Sequence, residues 1–301
     1  VSTFLSITFS GLALAGVYFL CAAGLTLIFG LMDILNFAQG VFITLGAYAG
    51  YEISIRLPGS AGAVTLFVFA IAGAIVGGAL AAGITEVVLI RPLYGRPMSQ
   101  VLVTIGLDLA IVALLEGIFG SNEVAITVPT WVNGATHVGQ VVLPNAAFLA
   151  LGAGVIVLVS LEMFLRRTRY GIIIRAGVEN RGMVSALGID VGRAFTLVFV
   201  IGGALAGLAG LLNTIAFNSD FVTPIQGDSL LIFTFIVVVV GGLGSIRGAA
   251  VSAVVIALLQ NYTNYYLGSH PGWSQVGNLS VVLLLAVVLS VRPRGLFASI
   301  A

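Results

Sequence analysis

The residues best suited to chemistry are few, and they sit where their burial is costly. Asp33, Asn36 and Gln39 fall in GLMDILNFAQG, residues 30–40, a polar interruption between two apolar runs. A carboxylate at the centre of a membrane helix costs roughly 2.5–3.5 kcal/mol on insertion scales, so such a cluster needs a reason. One reading is a turn between antiparallel helices, with Asp33 capping the second. The other is a discontinuous helix whose freed backbone groups and amides line a path for a solute. Asp108 and Glu116 stand eight residues apart on one helix face, placed either to relay a proton or to face a partner subunit. GGLGSIRG, residues 241–248, supplies Gly241, Gly242, Gly244 and Gly248 for a tight interhelical turn or a close backbone approach.

The composition removes other chemistry. All twelve basic residues are Arg and none is Lys, which excludes a Walker lysine, a Schiff base and a pyridoxal site. The single cysteine, Cys21, excludes an intrachain disulfide or a cysteine cluster and reads as a small buried hydrophobe. His137 and His270 are too few and too far apart for a metal site. A net charge of +1 without a basic run argues against nucleic acid. We therefore expect no cofactor or metal on this chain and no ATP hydrolysis by it alone.

The elements that must position these groups are membrane helices. The 301 residues are 59% hydrophobic and 8% charged, with a mean hydropathy of +1.18, against roughly 25% charged in soluble domains. At roughly 20 residues per crossing, this makes an all-α, polytopic transmembrane bundle of about eight or nine spans, a single transmembrane domain over residues 1–301. Apolar runs ending at charges, Pro or turn residues place the spans at 4–31, 36–54, 62–90, 99–119, 144–165, 193–217, 229–244, 249–267 and 276–291. The first run is not expected to be a cleavable signal, since it lacks a basic flank and is too long. The start at Val1 leaves room for preceding residues.

Arginine placement orients the bundle. Segments 91–98, 166–192 and 245–248 and the C-terminus hold nearly all the Arg, whereas 120–143, 217–228 and 268–275 hold none, which puts the first set in the cytoplasm. Arg56 is the exception, spaced four residues from Glu52 so that the two can pair on one helix face. Glu162 and Arg166 form a second such pair. The N-terminus falls outside if 33–54 crosses fully and inside if it re-enters. Many of the 39 glycines lie in the spans, with small-xxx-small spacing at Gly73/Gly77, Gly203/Gly207 and Gly202/Ala206/Gly210. That spacing suits close packing, or helices that slide.

Loop 166–192 contains RAGVENRGMVSALGID, residues 175–190. It reads as a short amphipathic helix, with Met183, Val184 and Leu187 on one side, Arg175, Glu179 and Arg181 elsewhere, and Gly188 as a C-cap. Such a helix either lies on lipid headgroups or docks into a cytoplasmic partner.

Six segments in order resemble the permease subunits of high-affinity branched-chain amino acid ABC importers. They are IFGLMDILNFAQG (28–40), RPLYGRP (91–97), TIGL (104–107), RYGIIIRAGVENRGMVSALGID (169–190), VVGGLGSIRGAAVSA (239–253) and RPRGLF (292–297). Length and signature look closer to the first of the two paired permeases. Gln39 departs from the family's usual His and Tyr94 from its usual Arg, and Asp108 matches no family motif. These departures bear on the substrate more than on the mechanism, because the family includes importers for urea, short amides and other amino acids.

The resemblance implies a multi-pass protein of the bacterial inner membrane. It implies pairing with a second permease, two cytoplasmic ATPase subunits that carry ATP and Mg, and a periplasmic or extracellular binding protein that delivers the solute. It also implies that Arg175, Ala176, Glu179, Asn180, Arg181, Met183, Leu187 and Gly188 belong to the ATPase-coupling segment. Asp33, Asn36, Gln39 and Asp108 are the candidates for the translocation path. The alternatives are a secondary transporter driven by an ion gradient through Asp108, Glu116 and Asp33, and a urea or short-amide channel.

Overall fold

The computed structural model describes residues 2–32, 36–56, 62–138, 141–186, 191–218, 220–268, 273, 275–293 and 295–297. Among them the long helices are α1 (Ser2–Met32), α2 (Gln39–Arg56), α3 (Ala63–Thr85) and α4 (Pro97–Phe119). A short α5 (Thr130–Asn133) precedes α6 (Asn145–Arg167), α7 (Arg169–Ala186), α8 (Val191–Phe217), α9 (Gln226–Gly241), α10 (Ile246–Leu267) and α11 (Val276–Val291). Among the described residues six helices are long and apolar enough to cross a membrane, and α9 and α11 are shorter apolar helices. The nine expected spans each coincide with a helix, because sustained apolar runs leave the backbone no partner but itself.

α1 is the hub. It is buried along most of its length and packs against α6, α8, α9 and α10. A second layer of α2, α3 and α8 is drawn together by glycine. A Cβ at Gly207 would lie 2.2 Å from the Ala74 carbonyl oxygen and one at Gly203 2.3 Å from that of Gly78, so only hydrogen fits at these crossings. The spaced glycines therefore serve close packing. In contrast, α4 buries only Gln100, Thr104 and Leu115 and leaves its other faces open.

The ends of the bundle separate the charges. Arg91 donates to Thr196 near the start of α8, and Arg166, Arg175 and Arg247 line one cavity with Ser245. The ends of α1, α3, α6, α9 and α11 thus share an arginine-rich end with the starts of α4, α8 and α10. Arg56, paired with Glu52, stands at the opposite end. That end carries an unexpected cap. Strands β1 (Val124–Ala125) and β4 (Phe221–Val222) pair antiparallel, as do β2 (Ala135–Val138) and β3 (Val141–Pro144). Ile126 and Val132 of this cap are buried with Phe67, Leu211 and Ile215.

Several boundaries differ by a few residues from the sequence reading, and two of them bear on the site. The segment expected as a short helix at 175–190 belongs to α7, which begins at Arg169, immediately after α6. Thr168 makes the corner, accepting the Gly171 N–H at 3.0 Å and donating to the Phe164 carbonyl at 2.7 Å. The span expected from 229 begins at Gln226, because a polar first turn is tolerated where another helix caps it.

Candidate functional site

Polar side chains gather where two helices start inside the bundle. Gln39, the first residue of α2, is fully buried, and its Nε2 donates to the carbonyls of Cys21 and Gly202, both at 3.4 Å. Those carbonyls lie near the middle of α1 and α8, so α2 begins at mid-depth and leaves at the arginine-poor end. Asn36 stabilises the entry turn by accepting the Ala38 N–H at 3.1 Å. The segment is thus a deep break followed by a helix that still exits on the far side. Asp33 lies outside the described residues.

α9 starts against this point. Thr44 donates to the Gly40 carbonyl at 3.2 Å and accepts the Gly227 N–H at 3.1 Å, which satisfies one of the orphan donors that open a helix. A Cβ on Gly227 would lie 2.1 Å from the Gly40 oxygen, so the two helix starts cross backbone to backbone. Over the crossing stand two carboxyls. A Cβ at Gly40 would lie 3.2 Å from Asp108 Oδ1 and 3.4 Å from Asp228 Oδ1, so the two acids flank the same point. Asp108 therefore neighbours Asp228, while Glu116, its expected relay partner, is exposed elsewhere on α4.

On the arginine-poor side a cavity of about 640 Å³ leads towards the crossing. Tyr18, Asn213, Gln226 and Ser229 give it polar contacts, and Leu14 and Phe233 give it apolar walls. Gln226 is buried and accepts from Thr214 at 3.1 Å, but its Nε2 has no partner. Gln39 Oε1, Asn36 Nδ2 and Asp108 Oδ1 are likewise buried without partners. Unpaired polar groups at this depth are costly, and of these four residues Gln226 lines the cavity. Sequence reading missed Thr44, Gln226 and Asp228. The signal was the QGD triplet opening an apolar run only sixteen residues long.

The coupling candidates lie on α7. Gly171, Ile174 and Gly177 face the bundle, where a Cβ on Gly177 would lie 2.6 Å from Leu31 Cδ1. Arg175 and Ala176 are exposed. Glu179, Asn180, Arg181 and Met183 continue the helix, whereas Leu187 and Gly188 lie outside the described residues.

The glycine turn is built by contact and by conformation. Gly242 and Gly244 have φ of +99° and +83°, where L side chains are strained. A Cβ at Gly248 would lie 2.0 Å from the Gly241 carbonyl oxygen. Ser245 caps α10 by accepting the Gly248 N–H at 3.1 Å. The C-terminal segment docks here, with Leu296 N–H donating to the Val240 carbonyl at 2.8 Å and Phe297 N–H to that of Gly241 at 3.2 Å. One further group escaped the sequence reading. Glu86 is fully buried in a π-helical turn, Glu86–Ile90, where it accepts from Thr196 at 2.8 Å and from Tyr94. Arg91 approaches it at 3.6 Å. Burial, and then the Glu86 carboxylate, hold the Tyr94 hydroxyl above the ordinary phenol pKa.

Residues 7–291 match the family described as branched-chain amino acid transport system / permease component. The chain is 30% identical to the probable branched-chain amino acid transport permease protein LivH of Methanocaldococcus jannaschii, over 92% of this chain and 87% of that one. It is 29% identical to the high-affinity branched-chain amino acid transport system permease protein LivH of Escherichia coli K12, over 97% and 95%. It is 30% identical to the corresponding protein BraD of Pseudomonas aeruginosa, over 95% and 93%. No solved structure matches significantly.

Proposed function

Because this chain belongs to the family of branched-chain amino acid transport permease components, we propose that it is the membrane subunit of an ATP-driven importer for branched-chain or other small amino acids. The observation that carries this reading is the pair of helix starts inside the bundle, at Gln39 and Gln226, below a cavity open at one end. Discontinuous helices put unsatisfied backbone groups and amides at a solute's disposal without a lipid-facing defect. Asn36, Gln39, Gln226 and Asp108 contact the solute in turn, and no tight site is required if a soluble binding protein supplies the selectivity.

The arginine-rich end is cytoplasmic, with the C-terminus on that side and the membrane the bacterial inner one. A second permease covers the open faces of α4. Two ATPases bind ATP and Mg, and α7 transmits their closure, rocking the bundle so that the crossing of α2 and α9 opens alternately to each side. The test is reconstitution in proteoliposomes with the second permease, the ATPases and the binding protein. Uptake that needs all components and ATP supports the reading.

The neighbouring carboxyls Asp108 and Asp228 favour one second reading, an ion-coupled transporter. Concentrative uptake by the isolated chain under a proton or sodium gradient would establish that reading instead. Downhill flux of urea or a short amide without any energy source would indicate a channel.

A further inference from the structure

α6 and α10 both pack on α1, and the seam between them is an open groove. Its floor is Ala15 and Gly16 of α1, and its walls are Leu151 and Leu158 of α6 and Ala250 and Val254 of α10. Small residues make it deep. A Cβ on Gly154 would lie 2.7 Å from the Gly16 Cα, so α6 sits close on α1 without filling the seam.

At the arginine-rich end, Leu158 also borders a cavity of about 290 Å³ lined by Glu162, Arg166, Arg175, Ser245 and Arg247. Among the described residues, three guanidiniums face one carboxylate there. Glu162 already accepts from Arg166 at 2.8 Å and from Arg247 Nε at 2.7 Å, which leaves the cluster with excess positive charge and unused N–H donors. Ser245 places the positive end of the α10 dipole at the same spot. A greasy trough that ends in an arginine cradle has the chemistry of one kind of ligand.

We propose that the α6–α10 seam holds one anionic phospholipid, its phosphate on Arg166, Arg175 and Arg247 and one acyl chain in the groove. The dimensions agree. Arg166 and Leu151 are fifteen residues apart on α6, about 22 Å of helix, which exceeds the roughly 15 Å of one leaflet's hydrocarbon. Guanidinium favours phosphate through paired hydrogen bonds. A zwitterionic headgroup brings its own ammonium against the three arginines, so the cradle selects net negative charge.

Native mass spectrometry of the full chain, delipidated in detergent and given dioleoyl phosphatidylglycerol, dioleoyl phosphatidylcholine or inorganic phosphate, tests this. One phosphatidylglycerol should be retained, at least about tenfold more tightly than phosphatidylcholine. The double variant Arg166→Gln/Arg247→Gln should lose that preference. Val254→Trp, which fills the groove and leaves the arginines in place, should weaken phosphatidylglycerol retention by a similar factor. Equal retention of both lipids overturns the proposal, as does retention untouched by Val254→Trp. Inorganic phosphate competing fully with the lipid reduces the site to an anion cradle and also overturns it. Loss of the lipid when the partner subunits assemble would assign the seam to a protein contact instead.

Discussion

The hydroxyl of Thr44, on α2, accepts the backbone N–H of Gly227, in the first turn of α9, at 3.1 Å. Two helices that both begin inside the bundle are thereby fastened to each other, 183 residues apart in the chain. The link is buried, so nothing but protein can satisfy that N–H. Thr44→Val keeps the shape and removes the acceptor, and should destabilise the purified protein by about 1–3 kcal/mol. Thermal unfolding in detergent reads this, and an unchanged melting temperature would show the contact to be incidental.

The Gly40–Gly227 crossing leaves no room for a methyl group, since a Cβ on Gly227 would lie 2.1 Å from the Gly40 oxygen. Gly227→Ala must push the start of α9 away. In the reconstituted complex, uptake is expected to fall at least tenfold while the protein still inserts in the membrane. Near-normal uptake would place the solute's route elsewhere.

Asn36→Leu and Gln39→Leu remove buried amide groups at the deep break. Each should reduce uptake severalfold while the binding protein keeps its affinity, because the loss lies in the membrane step. Wild-type rates in both variants would argue that these amides only shape the turn.

Asp108 and Asp228 should act as a unit. Single changes to Asn are expected to alter uptake, and the double variant should be no worse than the poorer single one, a departure from additivity that a double-mutant cycle measures. Additive effects would separate the two carboxyls functionally.

Asp220 offers a pH test outside the membrane. Burial raises its pKa above the ordinary carboxylate value, although the hydrogen bond from Asn133, at 2.7 Å, lowers it in part. A folded pKa above the unfolded one means the folded cap binds the proton more readily. Its stabilising effect is full below the unfolded value and is lost as pH rises through the folded one. Wild type should therefore gain stability over Asp220→Asn as the pH falls from neutral towards 4, in melting curves taken side by side.

Much of the architecture was legible without coordinates. The nine apolar runs became helices, most of the described arginines other than Arg56 collected at one end, Glu52 found Arg56 and Glu162 found Arg166. These features are local, since a run of apolar side chains or an i, i+4 pair is decided within a few turns of one helix. A helix was recognised in this segment, but its start was misplaced by six residues. Thr168 and Gly171 form the corner through contacts with the preceding helix, which composition does not reveal.

The tertiary structure alone decided the depth of Gln39, the company of Asp108 and the role of the C-terminal RPRGLF. Gln39 looks the same in a surface turn or a buried break, and only the carbonyls of Cys21 and Gly202 fix its level. Asp108 could face Glu116 along its own helix or Asp228 across the gap, and the rotation of α4 sets it with Asp228 beside Gly40. Leu296 and Phe297 bond to the end of α9 because the glycine turn leaves its last carbonyls open to them. Hydropathy reports how much each segment gains by leaving water. Which residues then meet depends on crossing angles and registers between helices distant in sequence, and those are set by where glycine permits backbones to touch.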